Sequence, residues 1–193
     1  MAERITGVLI SEEALARTVR RLGAEISAAY EGKRLLLLGV LKGSYVFLAD
    51  LARALSIPCE VEFLRMASYG GNDTGGELRL LWDLVIGLEE YDVLVVEDIL
   101  DSGRTLSLLL ERLRARGPRS LALCALLDKP ARRAVPVEAR FIGVEIPDAF
   151  VVGYGLDYAQ RYRNLPHVAT LAIGQDSHGR VDTGITPQVN SCQ

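Results

Sequence analysis

The chain has little of several things that usually announce a function. Among its 22 lysines and arginines, lysine occurs only at Lys33, Lys42 and Lys129. No block of basic residues is present and the formal net charge is -3, so the clustered cations of a nucleic-acid footprint are missing. His167 and His178, the only histidines, are far apart and read as structural or tail residues. Cys59, Cys124 and Cys192 are an odd set without metal-ligand spacing, and they read as reduced thiols. No apolar run approaches the roughly 18 residues of a spanning helix, and Met1-Ala2-Glu3-Arg4 lacks the charged-then-apolar layout of a signal peptide. These absences predict a soluble, cytoplasmic protein with neither a membrane nor a nucleic-acid partner.

What is present is apolar and alternating. With 193 residues, 49% of them hydrophobic, the chain can build one full core. Ser11 can cap a helix whose stripe is Leu15, Val19, Leu22, Ile26 and Tyr30. Leu35–Leu41 is a continuous apolar run, as in a strand buried on both faces. Further strands are expected at Glu60–Met66, Leu78–Val85, Val93–Glu97, Leu121–Leu127, Phe141–Val144 and Val168–Ile173, and helices after Ser44 and over Thr105–Arg116. Helices alternating with apolar strands predict an α/β fold with an open, mainly parallel twisted sheet. Ala67–Gly76 holds four glycines among polar residues and reads as a functional loop. Residues 1–173 read as a single domain, and 174–193 as a flexible polar tail.

The most informative stretch is Val93–Leu106. A β-branched run ends in Glu97-Asp98, and Asp101-Ser102-Gly103-Arg104-Thr105 then opens a helix. Backbone N–H groups, hydroxyls and a guanidinium at a helix N-terminus suit a phosphate. The carboxylates just upstream suit the hydroxyls of a sugar. In a chain this biased toward arginine, a retained lysine marks a place for a compact point charge, which singles out Lys42 and Lys129.

This stretch resembles the phosphoribosyl-diphosphate motif of the type I phosphoribosyltransferases. Leu41-Lys42-Gly43-Ser44, Ser68-Tyr69, Lys129, Phe150–Tyr158 and Tyr162-Arg163-Asn164-Leu165-Pro166 narrow the resemblance to the hypoxanthine-guanine group, over roughly residues 5 to 173. The resemblance implies that group's fold, with a small hood region. It also implies Mg2+-dependent transfer of 5-phosphoribosyl from its 1-diphosphate to a purine base in purine salvage, by a homodimer or homotetramer. It assigns the 5-phosphate to Asp101, Ser102, Gly103, Arg104 and Thr105, and the ribose to Glu97 and Asp98. The diphosphate falls to Lys42, Gly43 and Arg163. The purine falls to Lys129, Phe150, Val151 and Asp157, and the metal to Glu97, Asp98 and Asp157. Asp101 becomes the catalytic acid or base facing N7, and Ser68 and Tyr69 belong to a lid. The Leu41-Lys42 peptide can be cis in this family. Arg104 and Ser102 stand where the family often has Lys and Thr, with charge and hydroxyl retained.

Two other classes fit less well. A sugar-diphosphate sensor that binds RNA would need a basic face. A dinucleotide-dependent oxidoreductase would need a Gly-x-Gly-x-x-Gly turn after the first strand, and none is present.

Overall fold

The computed structural model describes residues 3–69, 77–82 and 84–173, and side chains outside 66–83. The expected tail and most of the glycine-rich loop lie outside the described residues. In chain order the elements are β1 (Glu3–Ile10), α1 (Glu12–Ala29), β2 (Leu35–Leu41), α2 (Tyr45–Ala54), β3 (Cys59–Tyr69), β4 (Glu77–Trp82), β5 (Asp92–Leu100), α3 (Arg104–Arg114), β6 (Ser120–Asp128), a 3-10 turn (Pro130–Arg132), β7 (Phe141–Glu145), β8 (Val151–Val152) and β9 (Val168–Ile173). The main sheet has the order β4-β3-β2-β5-β6-β7. Only the β3–β4 pair is antiparallel; β3, β2, β5, β6 and β7 run parallel.

Why this sheet forms is visible in its strands. Leu35 and Leu37 of β2 and Leu94 and Val96 of β5 enter one core cluster with α1 and α2. Their neighbours Leu36, Leu38, Val93 and Val95 enter a second cluster with the Leu106, Leu109, Leu110 and Leu113 stripe of α3. Successive strand residues point to opposite faces, so a run of leucines serves both layers. From β2 the chain winds outward to β3, and it returns through β5 on the other side of β2. Open α/β sheets bind ligands at such a reversal, outside the carboxyl ends of the strands.

A second sheet, in the order β1-β9-β8, stands as the hood. The sequence reading assigned no strand before Ser11. The segment Glu-Arg-Ile-Thr-Gly-Val-Leu-Ile is largely exposed and shows no apolar alternation of period two. Its pairing is with β9, from Glu3↔Ile173 to Ile10↔Val168, a partner that local pattern does not reveal. Ser68 and Tyr69, expected in a loop, instead end β3 and pair with Leu78 and Glu77 of β4. An antiparallel hairpin satisfies backbone groups that a loop would leave to water.

Helix α1 is capped as expected, with the Ala14 N–H donating to the Ser11 hydroxyl at 3.3 Å. It lies against α2 so closely that a Cβ on Gly23 would stand 2.6 Å from the Ala54 carbonyl oxygen. Gly23→Ala is therefore expected to cost about 1–3 kcal/mol by overpacking, although alanine is the better helix former. Urea unfolding checks this, and a stabilised variant contradicts it.

Candidate active site

The β2–β5 register, which ends at Gly39↔Val96, sets the loops after the two strands side by side. The turn after β5 is built for an anion. Gly103 precedes α3 with φ 80°, and a Cβ there would meet the Val135 carbonyl oxygen at 2.6 Å. Both the backbone and the space require glycine. No side chain caps α3, so Asp101 is not the N-cap that it would be in many helices. The first helical bond runs from the Ser107 N–H to the Gly103 carbonyl at 2.9 Å. The N–H groups before it point out of the helix end, where partial positive charge favours phosphate. The Ser102 carbonyl accepts from the Ala134 and Val135 N–H groups at 3.0 and 3.1 Å, which braces the turn from behind.

The two acids at the end of β5 sit in a different environment. Asp98 is buried, and its Oδ1 accepts from the Ile99 N–H at 3.0 Å. Burial pushes its carboxyl up to about 6, with Asp157 adding to the shift and Arg163 opposing it. Glu97 is raised well above the usual carboxylate range by burial and then by the Asp98 charge, and its Oε2 has no partner. An orphaned buried carboxylate oxygen beside a second raised acid is a fit for a hard divalent cation. The expected trio is not assembled, however. Among the described residues no three His, Cys, Asp or Glu side chains form a metal cluster. Asp157 is engaged elsewhere, by Arg163 Nη2 at 2.6 Å and by the Gln160 N–H at 2.8 Å. A partial carboxylate set suits Mg2+, which usually keeps waters and substrate phosphates among its ligands.

Opposite these acids lies the loop after β2. The Leu41-Lys42 peptide is cis. A Cβ on Gly43 would fall 1.7 Å from Asp98 Oδ2, and one on Gly155 2.2 Å from the Gly43 carbonyl oxygen. Three distant segments thus meet where only glycine fits. Lys42 Nζ donates to Gln160 Oε1 at 3.0 Å, and Arg163 Nη1 donates to the Gly155 carbonyl at 2.6 Å. Both cations expected for the diphosphate are tied to one segment, 155–163.

The expected base-binding residues come from β6 and the hood. Lys129 is only 5% exposed, and among the described residues its ammonium has no hydrogen-bond or ion-pair partner. Its three donors are therefore available to an oxo group on a ligand. Phe150 is exposed and meets Tyr158 edge to face at 5.7 Å, while Val151 is buried in β8. The sequence reading missed Gln160, the partner of Lys42. It also missed the two arginines after Lys129. Arg132 Nε lies 3.2 Å from Asp101 Oδ1. Arg133 pairs with Asp128 and reaches the Leu100 carbonyl. In a chain rich in arginine nothing marked these two out.

Residues 9–159 match the phosphoribosyl transferase domain model. The chain belongs to the phosphoribosyltransferase family. It is 46% identical over 172 residues to the hypoxanthine-guanine phosphoribosyltransferase of Bacillus subtilis, covering 89% of this chain and 96% of that protein. It is 48% identical over 172 residues to the bifunctional protein TilS/HprT of Listeria innocua, and there it spans only 26% of the longer chain. A hypoxanthine phosphoribosyltransferase from Staphylococcus aureus superposes with a TM-score of 0.84 at 42% identity, covering 87% of this chain and 92% of that one. These likenesses bear out the resemblance drawn from Val93–Leu106, and the α/β fold with it. No described helix is long and apolar enough to cross a membrane.

The raised Asp98 carboxyl gives a pH signature in metal-free protein. Its ordinary value is 3.8, so between there and about 6 the folded chain binds more protons than the unfolded one. Its contribution to stability is full below that window and is lost as pH rises through it. Asp98→Asn is therefore expected to gain stability relative to the parent between about pH 4 and about pH 7. Urea midpoints in the presence of a chelator check this; a pH-independent difference contradicts it.

Proposed function

We propose that this phosphoribosyltransferase transfers 5-phosphoribosyl from its 1-diphosphate to hypoxanthine or guanine, giving the nucleoside monophosphate and diphosphate. The observation that carries the reading is the convergence, at the carboxyl ends of β5 and β6, of an uncapped helix start, two acids raised by burial and a lysine with no protein partner among the described residues. Each matches one part of the substrates: phosphate, ribose hydroxyls and the 6-oxo group.

In this reading Ser102, Gly103, Arg104 and Thr105 hold the 5-phosphate, and Glu97 and Asp98 hold the ribose. Lys42, the Gly43 amide and Arg163 bind the diphosphate. Cleavage of the anomeric C–O bond ahead of bonding to the base leaves positive charge on the ribose, as in glycoside hydrolysis. Diphosphate gathers the negative charge, so cations held beside it lower the barrier. Mg2+ bound at Glu97 and Asp98, with Asp157 recruited when its bond to Arg163 opens, would supply further charge neutralisation there. Lys129 donates to the 6-oxo group, Phe150 stacks on the ring, Val151 contributes backbone contacts and Asp157 lies at the base edge. Asp101 takes the proton displaced from N7. Ser68 and Tyr69, on the β3–β4 hairpin, belong to a lid that excludes water from the ribosyl centre. The setting is purine salvage in the cytoplasm.

Assembly as a homodimer or homotetramer completes the proposal. Sedimentation at micromolar concentration should show no monomer, and a monomer removes this part of the reading. The activity is tested with labelled hypoxanthine, guanine and xanthine in competition. Nucleotide is expected from the first two, and none from any base overturns it. Asp101→Asn is expected to lower kcat by about 10²-fold or more with far less effect on nucleotide affinity. Equal losses would make Asp101 a binding residue.

A further inference from the structure

We infer that Arg132 is the residue that positions Asp101 for proton exchange with the purine. The inference rests on the assignment of Asp101 as the proton acceptor. Asp101 is not held by the helix it precedes, since α3 has no side-chain cap. Its Oδ1 is shielded from solvent, yet no donor meets it with hydrogen-bond geometry. The nearby charge is the Arg132 guanidinium, with Nε at 3.2 Å, while Nη1 of the same group lies 3.6 Å from Asp148 Oδ1. The guanidinium therefore lies between the acid that follows β5 and the acid just before Phe150. A planar fork can address two carboxylates at once, and an ammonium cannot hold the same geometry.

The backbone that carries Arg132 is fixed on both sides. Its own N–H donates to the Lys129 carbonyl at 3.1 Å, and the Lys129 N–H donates to the Leu100 carbonyl at 3.0 Å. One residue later the Arg133 side chain pairs with Asp128, and the Ala134 N–H joins the Ser102 carbonyl. One short turn thus carries the donor for the 6-oxo group and the cation that faces the N7 acceptor. It sets the spacing between the two groups that read one edge of the purine. Oδ1 is buried while the Asp101 side chain as a whole is 42% exposed, so the exposed part of that side chain is what a ligand meets. Arg132 itself is 47% exposed. A pair this exposed adds little to stability, and its contribution belongs in turnover.

The test uses the full chain with Mg2+, the sugar diphosphate and hypoxanthine, and compares Arg132→Gln, Arg132→Lys, Asp101→Asn and the Asp101→Asn/Arg132→Gln double variant. Arg132→Gln is expected to lower kcat about fivefold, with KM for the sugar diphosphate within about a factor of two of the parent. Arg132→Lys should recover part of that loss. In the Asp101→Asn background the Gln substitution should cost nothing further, because Arg132 acts through Asp101. Unchanged turnover, a matching rise in KM, no recovery by lysine, or an equal further loss in the double variant would each overturn the inference. The reading beneath it fails separately: if Asp101→Asn keeps parental turnover, both fall, whereas a crippled Asp101→Asn beside a silent Arg132→Gln removes the role of Arg132 alone.

Discussion

The site depends on one steric constraint, the contact of the Gly43 backbone with the Asp98 carboxylate. A Cβ at residue 43 would lie 1.7 Å from Oδ2, so no other residue closes the distance between the β2 and β5 loops. The parallel register of those strands delivers the loops to the same level, and Gly155 then presses on the Gly43 carbonyl from the hood side. Ends of two neighbouring strands and a loop from the hood side of the sequence, at Gly155, are thereby locked together. Lys42, Asp98, Asp157 and Arg163 all take their positions from that junction.

The junction stores unfavourable electrostatics, which the rest of the molecule offsets. Burial raises both Glu97 and Asp98, so ionising them in the folded chain works against stability. Two leucine-rich clusters on either face of the sheet supply the compensating burial. The cations near the site are mostly occupied: Lys42 by Gln160, Arg163 by Gly155 and Asp157, Arg132 by Asp101 and Asp148. An anion entering here exchanges partners with the protein rather than meeting bare charge. Lys129 differs in having no protein partner among the described residues, so an oxo acceptor meets its donor without breaking a contact between described side chains.

Much of the fold was legible because it is local. Buried runs of β-branched residues and leucine marked β2, β5 and β6, and the Ser11 cap marked the start of α1 by its own chemistry. The turn Asp101–Thr105 was legible for the same reason, since its glycine, hydroxyls and helix start are contiguous. Strand β1 was not legible, because it is largely exposed, lacks an apolar alternation and is paired with the far end of the domain. Neither was the placement of Ser68-Tyr69, whose strand character depends on pairing with β4. The contacts of Gln160 and Arg132 were hidden for a related reason. Each is an ordinary surface residue until tertiary structure sets it beside Lys42 or Asp101.

The division of labour between lysine and arginine ties these observations together. Arginine in this chain is a bracket. Arg34 spans Glu60, Glu90 and the Tyr91 hydroxyl, Arg21 joins Glu25 to the carbonyls of Ile142 and Gly143, and Arg116 holds the carbonyls of Leu84 and Ile86. A planar group with five donors serves such multi-partner joints with little loss of freedom per bond. Of the three lysines, Lys33 lies over the Tyr30 ring at 5.1 Å, and the other two stand in the site with one partner or none. A lysine there remains available to a ligand because its single compact charge is not spread over several protein acceptors. That difference is why the rarity of lysine singled out Lys42 and Lys129 as candidates, and why the same reasoning could not find Arg132, which bridges Asp101 and Asp148 as the other arginines bridge their partners.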